Sequence, residues 1–158
     1  MNGAARVGIG YDSHRFAAGR RLVLGGVEIE HELGLGLEGH SDADVVTHAV
    51  IDALLGATGL GDLGTHFPPE EERWREADSL DLLRTVLGLI DGPVTNVDVS
   101  VICEAPRLGP HREEMQANLS ATLGAPVSVK ASSNEGMGWI GRGEGIACVA
   151  VALIGTSA

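Results

Sequence analysis

Asp12 and His14 are separated by one residue in the segment 7–14, which has the composition of a β-strand. Successive side chains of a strand point to opposite faces, so these two side chains would lie on the same face. A carboxylate and an imidazole are usual zinc ligands, and a catalytic zinc site holds three protein ligands and keeps a fourth position open. His48 is the candidate for the third ligand. The sequence therefore predicts a metal site formed by Asp12, His14 and His48.

His48 belongs to a predicted helix over 42–55 whose apolar residues surround it, as in a buried helix. Asp44, His48 and Asp52 recur along this helix at i, i+4 and i+8 and would form one stripe. Burying an unpaired polar group costs about 1–3 kcal/mol, so each of the three needs a partner. A hydrogen-bonded core histidine flanked by carboxylates is the alternative, and spacing alone leaves both interpretations open.

Two further segments have residue types suited to phosphate. His40 precedes the predicted helix, where free backbone N–H groups favour anions, and Asp62 lies in a glycine-rich loop. The segment 130–145 combines hydroxyls, five glycines and Glu135, which could hold Mg²⁺ shared with a diphosphate. The alternatives are a surface histidine at position 40, a turn-forming aspartate at 62 and a long hairpin over 130–145.

The elements that must position these residues follow from periodicity and from glycine and proline. In the first half, the sequence predicts a strand over 7–11, a hairpin over 22–29 turning at Gly25-Gly26, a loop over 34–39, a helix opened by a Ser41/Asp44 capping box and ended by Gly56, and an irregular loop over 59–72. It then predicts a helix from Asp78 or Ser79 to before Gly92, a strand over 96–103, a helix from Pro110 to near Leu123 and a strand over 127–130. An irregular segment over 132–145 and a strand over 146–154 that is buried on both faces complete the chain.

Strands mixed with three helices indicate a single α+β domain over 1–158, with a mixed sheet covered on one face by helices. The 158 residues are 44% hydrophobic, which is enough to form a core. We expect the second face of the sheet to be covered by symmetric self-association.

The net charge of −11 argues against a nucleic-acid surface or an anionic membrane as partner. The first six residues lack a signal-peptide apolar core, and the longest apolar run is shorter than a spanning helix, so we expect a cytoplasmic protein. Cys103 and Cys148 lie in apolar strands and are expected to be buried, reduced thiols.

Five segments of the chain form a recognisable set: Gly10-Tyr11-Asp12-Ser13-His14, Gly39-His40-Ser41-Asp42-Ala43-Asp44 with His48 and Asp52, Gly61-Asp62-Leu63-Gly64, Glu104-Ala105-Pro106-Arg107 and Gly141-Arg142-Gly143-Glu144-Gly145-Ile146-Ala147. In their order and spacing, over about 6–154, they resemble the methylerythritol cyclodiphosphate synthase family.

The resemblance implies an enzyme that closes a phosphate onto the diphosphate of a cytidine diphosphate derivative of methylerythritol phosphate. The product is a cyclic diphosphate of the non-mevalonate isoprenoid pathway, and CMP is released. It implies one Zn²⁺ per subunit on Asp12, His14 and His48, and Mg²⁺ or Mn²⁺ on Glu135 with the substrate diphosphate. His40 and Ser133 would orient or stabilise the reacting phosphates.

The resemblance also implies a homotrimer whose sheets face the three-fold axis and whose active sites lie between subunits. The implied substrate contacts are Asp12, His14, His40, Ser41, Asp62, Leu63, Gly64, Phe67, Glu71, Cys103, Ala105, Pro106, Arg107, Leu108, Gly109, Ser132, Ser133, Asn134, Glu135, Trp139 and Arg142. Two other interpretations stay open: a zinc-dependent phosphohydrolase and a non-catalytic trimeric module with structural zinc.

Overall fold

The structure is a computed structural model that describes residues 4–155. Residues 1–3 and 156–158, the ends of the predicted domain, lie outside the described residues. The elements are β1 (Arg6–Ala18), β2 (Val23–Leu24), β3 (Val27–Glu28), β4 (Leu35–Leu37), α1 (Val45–Thr58), α2 (Leu63–His66), α3 (Ser79–Leu87), β5 (Val94–Ile102), α4 (Arg112–Leu123), β6 (Val127–Ser132), α5 (Gly138–Gly141) and β7 (Gly145–Ile154), with 3₁₀ turns at Glu72–Trp74 and Gly109–His111.

Five of the strands form one mixed sheet in the order β4-β1-β7-β5-β6. Only the β5–β6 pair is parallel among these strands, and the other three pairs are antiparallel. Strands β2 and β3 form the predicted hairpin around Gly25-Gly26. The predicted single α+β domain with a mixed sheet is confirmed.

Two glycines of β1 let α1 lie directly on the strand. A Cβ atom at Gly8 would be 1.9 Å from the Ala53 carbonyl oxygen, and one at Gly10 would be 1.8 Å from the Ala49 carbonyl oxygen. Because any side chain there would push the helix away, the glycines set the distance between strand and helix. The residues that follow on the same face of β1 therefore meet the first turns of α1.

The opposite face of the sheet is apolar along β1 and β7 and uncovered in the single chain. Val7 is 67% exposed, Ile9 71% and Tyr11 56%, while Val151 of β7 is 39% exposed. The prediction that the strand over 146–154 is buried on both faces is therefore wrong for one chain. Its alternate residues, such as Ala150, lie against α1, and the residues between them face outwards.

Several element boundaries differ from the predictions because tertiary pairing overrides local signals. The predicted loop over 34–39 contains β4, which pairs with Phe16–Ala18. Strand β1 continues well beyond Tyr11, because it also pairs with β7 as far as Arg15. Helix α1 continues through Gly56 and ends where Gly59 adopts a left-handed conformation. The expected capping box is absent from the start of α1, because the Asp44 side chain caps the helix by itself. The predicted irregular segments contain the short helices α2 and α5.

Both cysteines are buried and free, as predicted. Within residues 4–155, the structure has no helix of the length and apolarity needed to cross a membrane.

Candidate functional site

The three predicted metal ligands meet where β1 passes the first turns of α1. Asp12 and His14 project from the same face of β1, as the alternation of the strand predicts. Asp12 Oδ2 lies 2.8 Å from His14 Nε2 and 3.1 Å from His48 Nδ1, and the two ring nitrogens are 3.3 Å apart. Three potential ligand atoms therefore form a small triangle at the floor of a cavity.

This triangle fits a tetrahedral metal ion. Zinc bonds of about 2.0–2.1 Å in tetrahedral geometry separate neighbouring ligand atoms by about 3.3 Å. The outer nitrogen of His14, Nδ1, lies 2.7 Å from the Glu38 carbonyl oxygen, which can only accept a hydrogen bond. Nδ1 therefore carries the proton in the neutral ring, and His14 Nε2 presents a lone pair to the triangle.

The electrostatics of the cluster favour a bound cation. Burial alone would raise the pKa of Asp12, but hydrogen bonds and the charges of His14 and His48 outweigh it and lower that pKa to about 2. For His14, burial works to lower the pKa, yet the hydrogen bond to Asp12 and its charge raise it. An ionised carboxylate between two imidazoles attracts either protons or a metal ion.

The polar stripe on α1 acquires the partners that its burial requires. The fully buried Asp44 carboxylate accepts from the backbone N–H groups of Gly25 and Gly26, both at 2.8 Å, and from Thr47 N–H and hydroxyl groups at 3.0 and 2.7 Å. Asp52 Oδ1 accepts from Leu63 N–H at 2.8 Å. The stripe thus joins α1 to the β2–β3 hairpin, the triangle and α2.

A cavity of about 260 Å³ opens above the triangle. One wall is apolar, and the Phe67 and Trp74 rings meet edge to face there with centroids 4.9 Å apart. The lining residues are Asp12, His14, His40, Ser41, His48, Leu63, Gly64, Phe67, Pro69, Trp74 and Leu82. The structure thus brings together most of the predicted contacts from the first half of the chain.

Two other predicted contacts from this half, Asp62 and Glu71, lie close to the cavity. His40 Nε2 lies 3.2 Å from the Glu71 carbonyl oxygen and can donate to it, so the 66–78 segment fixes the imidazole. Asp62 caps the short helix α2 by accepting from Thr65 N–H at 2.8 Å. The turn-former alternative therefore describes what Asp62 does within this chain.

Seven of the predicted contacts from the second half of the chain line a different cavity, of about 370 Å³, at the end of strands β5 and β6. Its lining residues are Cys103, Glu104, Pro106, Arg107, Leu108, Gly109, Pro110, Ala131, Ser132 and Ser133. Ala105 adjoins it through a cis peptide bond to Pro106. Burial, and after it the charge of Glu104, raises the pKa of the Cys103 thiol to about 11, which keeps this thiol protonated at neutral pH.

Glu135 lies in an exposed turn after β6. Its carboxylate accepts from the Ser133 hydroxyl at 3.3 Å, and its backbone N–H donates back to that hydroxyl at 3.2 Å. The Glu104 carboxylate holds the turn by accepting from Asn134 N–H at 2.7 Å and Gly136 N–H at 3.4 Å. Sequence analysis noted Glu104 in a motif but missed this role.

Trp139 and Arg142 lie apart from both cavities. Trp139 lines a third cavity of about 200 Å³ with Ser13, His14, Arg15 and Glu144. Arg142 forms an exposed ion pair of 2.8 Å with Glu144. In the single chain the predicted site residues are thus divided among three places, and only the first contains a cluster of metal-ligand type among the described residues.

Sequence analysis also missed residues that hold His48 or the 37–41 segment next to it. Ser79 lies 2.8 Å from the outer nitrogen of His48 and is hydrogen-bonded to Asp42. Arg20 donates to the Leu37 and Ser41 carbonyl oxygens at 3.0 and 2.7 Å. The only signal was the Asp78-Ser79 helix start, which says nothing about contacts 37 residues away in the chain.

Comparison with known proteins gives consistent matches over almost all of the chain. The model of the YgbB family matches residues 5–155. A 2-C-methyl-D-erythritol 2,4-cyclodiphosphate synthase of Symbiobacterium thermophilum is 57% identical over 94% of this chain and 97% of its own length. A structure described as IspF of Plasmodium falciparum in complex with CDP has a TM-score of 0.83 and 34% identity, covering 99% of both chains. The bifunctional IspDF of Campylobacter jejuni has a TM-score of 0.92 and 35% identity, and the match covers 98% of this chain and 43% of that one.

Proposed function

This chain belongs to the YgbB family, and from that premise we infer that it is a cyclodiphosphate synthase of isoprenoid precursor biosynthesis. It converts the cytidine diphosphate derivative of methylerythritol 2-phosphate to methylerythritol 2,4-cyclodiphosphate and releases CMP. The observation that carries this function is the convergence of Asp12, His14 and His48 at the floor of the cavity, in a chain similar to synthases along almost its whole length.

The reaction is an intramolecular phosphoryl transfer. An oxygen of the 2-phosphate attacks the diphosphate phosphorus that is farther from cytidine, and the bond from that phosphorus to the bridging oxygen of CMP breaks. One new P–O bond closes the ring, and CMP leaves with the electrons of the P–O bond that breaks. No water is consumed. Positioning and charge neutralisation supply nearly all of the catalysis in such transfers.

Asp12, His14 and His48 would hold Zn²⁺, and Glu135 would hold Mg²⁺ or Mn²⁺ together with the diphosphate. The bound metals would act as Lewis acids that offset charge on the reacting phosphates. Support for the zinc site comes from the ligand distances and from the lone pair of His14 Nε2. Glu135 suits Mg²⁺, which typically uses one or two carboxylates together with substrate phosphates.

The chain's own residues would orient the substrate and exclude water. Phe67 and Trp74 form an apolar wall, and water must be kept out because its attack would give an open-chain phosphate. His40, held by the Glu71 carbonyl oxygen, would position a phosphate, and so would Ser133. Leu63 and Gly64 would contact the methylerythritol portion.

We further propose that the cavity at the end of β5 and β6 binds cytidine, and that in a homotrimer it faces the cavity above the Asp12, His14 and His48 triangle of the neighbouring subunit. Two features support this assembly: the two sets of predicted contacts line separate cavities in one chain, and the sheet face carrying Ile9 and Tyr11 is apolar and exposed. Such a face is typical of a subunit interface. The cytoplasmic location stays a prediction.

Incubating the purified protein with the cytidine substrate, Zn²⁺ and Mg²⁺ tests the function. We expect CMP and the cyclic diphosphate in equal amounts, measured by chromatography and phosphorus NMR. CMP released together with an open-chain phosphate would instead identify a phosphohydrolase. Absence of CMP with both metals present would refute the enzymatic function.

A further inference from the structure

On the side away from the triangle, the His48 ring contacts Ser79, and Ser79 in turn contacts Asp42. Neither side chain has a role so far in binding metal or substrate. The Nε2 atom of His48 lies 2.8 Å from the hydroxyl oxygen of Ser79, and that hydroxyl is hydrogen-bonded to Asp42 Oδ1. We propose that Asp42 and Ser79 are positioning residues that orient the His48 ring and fix its proton on Nε2, so that Nδ1 is presented to the metal. This inference rests on the proposed metal site.

The direction of each hydrogen bond follows from the groups involved. An ionised carboxylate can only accept, so the Ser79 hydroxyl gives its one proton to Asp42. The lone pairs of the same hydroxyl oxygen then accept from His48, which requires the proton of the neutral ring to be on Nε2. His48 Nδ1 is left with a lone pair, 3.1 Å from Asp12 Oδ2 and 3.3 Å from His14 Nε2.

With this assignment, three electron-pair donors converge on one point, because His14 Nε2 is also unprotonated in the neutral ring. Such convergence repels unless a cation occupies the centre. The two imidazoles use different outer partners, a backbone carbonyl for His14 and a hydroxyl–carboxylate pair for His48. A metal-bound histidine almost always donates its other ring N–H to a carboxylate, a carbonyl or water, which fixes its orientation and raises its basicity.

Burial keeps water away from the relay, that is, from the hydrogen bonds that link His48 to Ser79 and Ser79 to Asp42. Ser79 is 0% exposed and His48 is 5% exposed, so water has little access to replace the hydroxyl. The Ser41 hydroxyl oxygen is a second neighbour of His48 Nε2, but at 3.2 Å, and it already accepts from Ala43 N–H. The shorter contact, to Ser79, is therefore the principal one.

The Asp42 carboxylate is itself anchored from two sides. Its Oδ2 atom accepts from Ser79 N–H at 3.0 Å, and its Oδ1 atom accepts from Asp44 N–H at 3.1 Å. Asp42 N–H donates to the Ala77 carbonyl oxygen at 3.1 Å. These bonds join the start of α3 to the start of α1, so the position of Ser79 depends on the meeting of two helices that are distant in sequence.

Nitrogen NMR of the histidines in the metal-free protein tests the proton position independently of metal binding. Protonated and unprotonated ring nitrogens are distinguished by their shifts. We expect His48 Nε2 to carry a proton in the parent protein and the proton to move to Nδ1, facing Asp12, in Ser79→Ala. An unprotonated Nε2 in the parent would overturn the relay even if zinc binds normally.

Zinc affinity, measured by competition with a chromophoric chelator, tests the effect on the metal site. Loss of an outer partner of a zinc ligand typically weakens affinity about 10- to 100-fold, and we expect Ser79→Ala to fall in that range. Ser79→Thr keeps the hydroxyl and should stay within about threefold of the parent. Ser120→Ala removes a hydroxyl on α4 that donates to Ala125 and should change nothing at the site. A loss of less than about threefold in Ser79→Ala would refute the proposal.

A double-mutant cycle separates the relay from general destabilisation. If Asp42 acts on His48 through Ser79, the two losses of zinc affinity are not additive. The double variant of Asp42→Asn and Ser79→Ala then loses no more zinc affinity than the single variant that binds zinc less tightly. Additive losses would refute the relay. A parent protein that binds no zinc would refute the proposed metal site itself, and the NMR measurement would still decide the proton position.

Discussion

At the scale of single residues, the Asp12 carboxylate lies between two imidazoles, and a metal ion would bind to its Oδ2 atom and to the two ring nitrogens that face it. Removing one imidazole leaves two ligands, too few for a tight zinc site. We therefore expect His48→Ala to lose bound zinc and to reduce turnover by about 100-fold or more. Metal content per chain after dialysis and the rate of CMP release measure this.

His31→Ala is the matched control for His48→Ala. The His31 ring packs against Phe16, with centroids 4.8 Å apart, and lies away from the cavity. This variant should keep both zinc and activity. A zinc-free His48→Ala protein with parental turnover would refute the site, and unchanged oligomeric state by sedimentation would show that the assembly survives the substitution.

The ligand triangle was predictable from sequence, whereas its outer partners were not. Period-two alternation places Asp12 and His14 on one face, and the helical stripe marks His48, so local geometry identified the three residues while leaving a hydrogen-bonded core histidine as the alternative. Ser79 and Asp42 meet only because α1 and α3 pack together, and no local pattern contains that contact. A helix start is all that the residues 78–79 indicate by themselves.

At the scale of elements, the close packing of α1 on β1 depends on glycine. The Cβ atom of Gly10→Ala would be 1.8 Å from the Ala49 carbonyl oxygen, and backbone atoms cannot give way as a flexible side chain can. We expect a loss of about 3 kcal/mol or more in the free energy of unfolding, at or beyond the usual range for overpacking. Zinc affinity should fall as well, because the helix that carries His48 must shift.

Gly56→Ala, on the helix that packs against Gly10, should raise the free energy of unfolding, whereas Gly10→Ala should lower it. The Cβ atom of Gly56→Ala would meet only the Ile9 carbonyl oxygen at 3.7 Å, an ordinary contact, and position 56 is exposed within α1. Replacing a helical glycine by alanine stabilises by about 1 kcal/mol. Chemical denaturation should therefore order the proteins as Gly56→Ala, parent and Gly10→Ala. Equal midpoints for the two variants would contradict this account of the interface.

Asp44 joins α1 to the β2–β3 hairpin, which gives a second prediction about stability. Asp44→Ala removes the helix cap, worth about 1 kcal/mol, and leaves the Gly25 and Gly26 N–H groups unpaired at about 1–3 kcal/mol each. We expect a total loss of about 3–7 kcal/mol, measured by denaturant unfolding. Asp78→Ala, which removes the exposed cap of α3, should cost only about 1 kcal/mol. Equal losses in the two variants would contradict the linking role of Asp44.

Element types followed from the sequence more reliably than element limits. The apolar run over 146–154 predicted β7, but its burial on both faces needs a neighbour that the single chain lacks. The segment 34–39, predicted as a loop, pairs in part with the end of β1, since an open strand edge offers hydrogen bonds that outweigh its three glycines. In both cases the deciding contact lies outside the segment itself.

At the scale of the whole molecule, the uncovered sheet face predicts how the protein responds to a charge there. Ile9 is 71% exposed in the single chain and lies between Val7 and Tyr11 on the outer face of β1. Burying an unpaired carboxylate in an apolar interface is strongly unfavourable. We therefore expect Ile9→Asp to give monomers by sedimentation and to abolish turnover. Leu33→Asp, at a turn where Leu33 is 77% exposed, should leave the proposed trimer and the activity intact.

A mixing experiment tests whether each active site is shared by two subunits. His48→Ala lacks the metal half of the site and Glu135→Gln lacks the diphosphate half, so each variant alone should be inactive. In random trimers of an equal mixture, a shared site is intact when its metal half comes from a Glu135→Gln subunit and its diphosphate half comes from a His48→Ala subunit. Each condition is met about half of the time, so about one quarter of the sites are intact. We therefore expect co-expression or joint refolding to restore about a quarter of parental turnover. If both halves came from one chain, every site would carry one defect, and the mixture would stay as inactive as its parts.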